Sequence, residues 1–118
     1  MKSITNEECR DMVLGMAFHQ AILAIDRRAR YEAGLKGNSL TQMILRYGGL
    51  EAAKRLLQPS SQFRIHAGLV DLWTLGRVDL SVEALAVQSP HRPLFASELL
   101  LEAERRLKQC DYTFLTPA

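Results

Sequence analysis

The chain has 118 residues, of which 47% are hydrophobic and 24% charged, with a formal net charge of +2. That describes one globular domain with apolar material for its own core, and the charge is too small to imply a nucleic-acid partner by itself. No apolar run approaches the roughly 18 residues of a membrane span, and the start lacks the charged region and apolar core of a secretory signal.

The first predicted helix is the longest. Thr5 and Glu8 stand at capping-box spacing, so it should begin near Asn6. One apolar stripe runs through Cys9, Met12, Val13, Met16, Ala17 and Leu23; a second runs through Leu14, Phe18, Ile22 and Ile25. A helix apolar on two faces is either the buried centre of a bundle or shared with a second chain. The last turns carry Arg27, Arg28 and Arg30, which suit the negative end of the helix dipole, and Gly34 can end the helix. The plain reading of this basic cluster is a solvated helix end.

Residues 35–38 form a connector. Ser39 and Gln42 repeat the capping-box spacing and open a short helix through Met43, Ile44 and Leu45, which Gly48-Gly49 breaks. The next helix, LEAAKRLL from Leu50 to Leu57, stops before Pro59, because the residue preceding proline disfavours the helical region. QPSSQ, residues 58–62, is the most loop-like internal segment and too short for a domain linker.

GLVDLWTLGRVDLSVEALAV, residues 68–87, is the stretch the rest is expected to gather around. Leu69, Val70, Leu72, Trp73 and Leu75 recur at helical spacings, and Gly76 stands where a left-handed C-cap favours a residue without Cβ. Arg77 should pair with Asp79 or another nearby carboxylate. Ser81 is the N-cap of the following helix, with Leu80 and Leu85 placed as a hydrophobic staple. Trp73 should be largely buried, with Leu56, Leu72, Leu85, Leu94, Phe95 and Leu107 around it.

Ser89-Pro90 closes that helix, and HRPLF is a turn whose Leu94 and Phe95 plug the core. Ser97 caps a last helix with Leu99, Leu100, Leu101, Ala103 and Leu107 on it. Its Glu98 and Glu102 come early and its Arg105, Arg106 and Lys108 late, an order that matches the helix dipole. Residues 113–118 are a tail. With no sustained strand alternation anywhere, the expected fold is all-α: one domain over residues 1–118, a compact bundle of five to six helices.

The chemically capable residues do not assemble into a motif. His19, His66 and His91 lack a second ligand at HxxxH or HExxH spacing, and zinc needs three or four converging ligands. Cys9 and Cys110 show no CxxC or Cys/His pattern, and a catalytic thiol needs an activating base nearby, so both read as buried small hydrophobes. Asp71 and Asp79 flank a turn and serve it. Gly48-Gly49 lacks the spacing of a phosphate loop. The expectation is therefore a non-enzymatic protein with no catalytic, cofactor-binding or metal residues.

LTQMILRYGGLEAAKRLL looks like a helix-turn-helix, two short helices meeting at glycine. Against that, Lys54 or Arg55 would fall at an inward position usually held by an aliphatic, and Glu51 sits where phosphate would approach. In this alternative, a small nucleic-acid-binding module, Arg27, Arg28, Arg30, Lys54 and Arg55 would contact phosphates.

The run GGLEAAKRLL, then GLVDLWTLGRVDLSVEAL, PLF and ELLLEAERRL ending near Tyr112, resembles a helical module that recurs in uncharacterised bacterial proteins. The resemblance covers residues 39–112 and rests most on Leu72-Trp73, Gly76-Arg77 and Asp79-Leu80. It implies a small accessory or appended module with no established activity, and leaves the long first helix, residues 1–34, outside it. The leading expectation is a bacterial, cytoplasmic helical protein that binds another protein or pairs with itself as a homodimer. Met12, Met16, Phe18, Ile22 and Ile25 are its expected partner-binding residues, and no membrane is involved.

Overall fold

Helix α1 (Asn6–Glu32) is the spine of the structure. The computed structural model describes residues 6–35, 39–59, 67–89 and 91–112, and within them six α-helices, two 3₁₀ turns and no strand. After α1 come α2 (Ser39–Tyr47), α3 (Gly49–Leu56), α4 (Ala67–Thr74), α5 (Val82–Ala86) and α6 (Ser97–Gln109). The 3₁₀ turns are Val78–Leu80, ahead of α5, and Arg92–Leu94, ahead of α6. This is the all-α bundle the sequence predicts. The Thr5–Glu8 and Ser39–Gln42 capping boxes, His66, Pro90, most of QPSSQ and the tail from residue 113 lie outside the described residues and side chains.

The second apolar stripe of α1 goes inward. Phe18 and Ile22 are fully buried and Ile25 nearly so, in one core with Ile44, Ala52, Ala53, Leu57, Val82, Leu85, Phe95, Leu99 and Leu107. Phe18 meets His91 and Phe95 edge-on, with ring centroids 5.3 and 5.2 Å apart. Helices α2, α3 and α5 and both 3₁₀ turns lie against α1. Burying that stripe makes α1 integral to the fold, not an appendage to a core that closes without it. Helix α5 is buried along its whole length, packed between α1, α3 and α6.

The helix ends explain the path of the chain. Gly34, Gly48 and Gly76 all have positive φ, the left-handed region that favours glycine. At Gly76 the Arg77 N–H donates to the Leu72 carbonyl at 2.8 Å and the Gly76 N–H to that of Trp73 at 3.0 Å, a Schellman stop. The Ser81 hydroxyl accepts from the Ala84 N–H at 3.1 Å, the N-cap its sequence position predicts. Ser97, by contrast, is the first residue of α6; the N-cap position belongs to Ala96, whose side chain makes no cap bond.

Trp73 corrects the expected core. It is 56% exposed, on the outer face of α4 with Val70, while Leu69 and Leu72 take the buried face. Leu72 forms a small second cluster with Ala29 and Leu80, because the turn at Gly76 folds the chain back beneath it. An eight-residue helix at the edge of the core buries one stripe only, and the tryptophan is on the other.

Candidate functional site

The outer stripe of α1 and the cleft beside it form an unfilled apolar feature of the described residues. Met12, Val13 and Met16 are 57%, 60% and 68% exposed, with Cys9 and Ala17 also exposed beside them. The cleft, about 550 Å³, lies between this half of α1 and the α2–α3 joint; Met12, Met16, Tyr47 and Leu50 line it, and Asp11, Glu51 and Lys54 mark its polar edge.

One contact sets the cleft's floor. The Gly49 N–H donates to Nδ1 of His19 at 2.8 Å, so an α1 side chain satisfies one of the amides left over at the start of α3. A Cβ on Gly49 would fall 2.6 Å from Ile22 Cγ2 and 2.9 Å from the His19 Cα. Glycine is therefore what lets the two helices touch. Accepting at Nδ1 fixes the neutral imidazole with its proton on Nε2. His91 is held the opposite way, with Nδ1 3.0 Å from the Leu85 carbonyl oxygen and therefore donating to it.

The expected partner-binding residues separate accordingly. Met12 and Met16 face outward, whereas Phe18, Ile22 and Ile25 are consumed by the chain's own core. That corrects the expectation for those three: a helix surrounded on one side by five other elements has no second surface to offer there.

The candidate phosphate contacts do not converge either. Arg28 and Glu32 pair at 2.6 Å, Arg30 and Asp26 at 3.5 Å, and Arg55 and Glu51 at 3.3 Å. Arg55 also stacks on the Tyr47 ring, 4.0 Å from its centroid. Arg27 is exposed, and Lys54 is half-buried at the cleft. Helices α2 and α3 meet at the single residue Gly48, tighter than the three- or four-residue turn of a helix-turn-helix.

Three polar assemblies hold the frame behind the cleft. Buried Asp26 accepts from the Thr41 hydroxyl at 2.6 Å and docks α2 on α1. Arg77 bridges Asp79 and Glu32, each at 3.1 Å, joining the Gly76 turn to the end of α1. The Arg28 hydrogen bond, with that of Arg77 behind it, holds the Glu32 carboxyl below its usual range. Deepest is Arg106, which the sequence suggested only as a dipole-matching charge. Its guanidinium donates to Glu83 at 3.0 Å, Glu102 at 3.0 Å, and the carbonyls of Leu56 and Gln58 at 2.8 and 2.9 Å. One buried cation thus ties the end of α3 to α5 and α6.

The thiols differ. Cys110 is buried, and desolvation, reinforced by the Glu83 and Asp111 charges, pushes its pKa up, so it behaves as a small hydrophobe. Cys9 is exposed, contrary to expectation, on a stretch of α1 where Arg10, Asp11, Met12 and Val13 are exposed as well. Among the described residues no three His, Cys, Asp or Glu side chains are grouped to hold a metal ion, and no helix is long and apolar enough to cross a membrane. Comparison with protein-family models, curated proteins and solved structures finds no match.

Proposed function

We propose that this is a non-enzymatic helical interaction protein that docks a protein partner on the outer face of α1 and the adjoining cleft. The observation that carries the reading is the division of α1. Its inner stripe is used up by the fold, yet Met12, Val13 and Met16 remain more than half exposed beside an open apolar cleft. Methionine side chains adapt to varied surfaces, and such patches rimmed by polar groups mark interaction sites. The resemblance of residues 39–112 to an accessory module of bacterial proteins supports the same reading. Two thiols with no disulfide suit the cytoplasm, where we place the protein.

Pull-down from native lysate with the wild type and Met16→Glu tests the proposal. A partner retained at high salt and lost with Met16→Glu is expected, because apolar docking is little screened. Retention of nucleic acid instead, falling steeply with salt and indifferent to Met16→Glu, would replace it with the phosphate-binding alternative.

A further inference from the structure

We infer that the outer face of α1 pairs with the same face of a second copy of this chain, antiparallel, about a two-fold axis near the level of residue 18. This deepens the docking reading above and rests on it. The observation is a seam. Cys9, Val13, Met16, Gln20, Leu23 and Arg27 follow one another at intervals of four, three, four, three and four residues. Leu23 is half-buried and packs against the edge of the core, and the other five lie on the exposed side of α1. Alternating threes and fours keep a stripe facing a partner helix, as in a coiled coil.

Two features select a second copy and an antiparallel one. The spacing reads the same in both directions, so reversal about residue 18 sets Val13 against Leu23, Met16 against Gln20 and Cys9 against Arg27, twice each. Charge agrees. The first six residues of α1 carry Glu7, Glu8 and Asp11 against Arg10, a net two negative charges. The last six carry Arg27, Arg28 and Arg30 against Glu32, a net two positive charges. Antiparallel pairing brings opposite ends together and opposes the helix dipoles; parallel pairing would stack like on like. Exposed Ala17 and Ala24 flank the seam and let the backbones approach. The exposed residues 9–13 gain the partner's C-terminal half of the helix as a neighbour. Gln20 and Arg27 dilute the apolar seam, which makes this a reversible dimer with a fixed register.

Sedimentation equilibrium of the full chain, with and without Met16→Glu, reads the association. The wild type should dimerise in the micromolar range, and Met16→Glu, which buries two carboxylates per dimer, should weaken it by about a hundredfold or more at unchanged helicity. Arg27→Cys fixes the orientation: under mild oxidation Cys9 should bridge to the thiol introduced at position 27 of the other copy, while Cys110 stays buried and silent. A wild-type dimer cross-linked through Cys9 to Cys9 would overturn the antiparallel arrangement. A wild type monomeric at hundreds of micromolar would overturn self-pairing altogether; partner loss with Met16→Glu in the lysate experiment would then still uphold the docking face.

Discussion

Gly49 and Arg106 show how much rests on single residues. Gly49→Ala inserts a methyl group into the backbone of α1, and a well-packed contact of that kind costs about 1–3 kcal/mol. Gly15→Ala is the contrast: its Cβ would meet nothing closer than Leu50 at 4.0 Å, and removing a glycine from a helix interior should stabilise by about 0.5–1 kcal/mol. Urea denaturation of the two variants should therefore give opposite signs. Arg106→Met leaves Glu83 and Glu102 buried without their shared cation, so a loss of about 3–5 kcal/mol is expected in the same measurement. The sequence marked the Gly48-Gly49 pair as a break but not the close approach, because which neighbour a glycine admits is decided only when two distant helices meet. Arg106 was hidden for the same reason: apart from Glu102, its partners are 23 and about 50 residues away.

The same cluster gives a pH prediction. The Arg105 hydrogen bond, with Arg106 behind it, holds the Glu102 carboxyl below its usual range despite the opposing effect of burial. A depressed folded-state pKa contributes stability above the unfolded value, about 4.3, and loses it as pH falls through the lower folded value. Acid unfolding of the wild type should steepen there, and Glu102→Gln should flatten that limb.

Among the elements, α1 and α4 carry the lessons. The first reads as apolar on two faces and the second as one run of apolar residues at helical spacings, and periodicity alone does not say which of them the core will take. For α1 both stripes were legible, and burial of Phe18, Ile22 and Ile25 settles which faces inward. For α4 the sequence pointed the wrong way, since tryptophan's size suggests a core anchor, yet the short helix spends its inner stripe on Leu69 and Leu72. Trp73→Ala should accordingly cost under about 1 kcal/mol, as a surface substitution does, and native fluorescence should show a red-shifted, water-exposed emission. A blue emission maximum would contradict that placement. The stops were legible because glycine and serine act locally: positive φ at Gly76 and the Ser81 cap follow from a few neighbouring residues. Gly76→Val should destabilise markedly, since a β-branched residue is strained at that φ.

At the scale of the molecule, the bundle spends one stripe of its longest helix on folding and leaves the other to the outside. Fold class was legible because helical periodicity is a property of single segments. The proposed docking face was only half legible, because its residues are those that the other described elements leave uncovered. Phe18→Glu should unfold the protein, with a buried charge at the centre of the core, whereas Met16→Glu should leave the melting temperature nearly unchanged at concentrations where the wild type is monomeric. The most direct test of the outer face as the docking surface is methyl NMR of methionine-labelled protein as a complex forms, with a partner or with itself. The methyl signals of Met12 and Met16 should shift or broaden while that of Met43, packed against the core, stays in place. A complex of confirmed mass that moves Met43 and leaves Met12 and Met16 untouched would contradict the account.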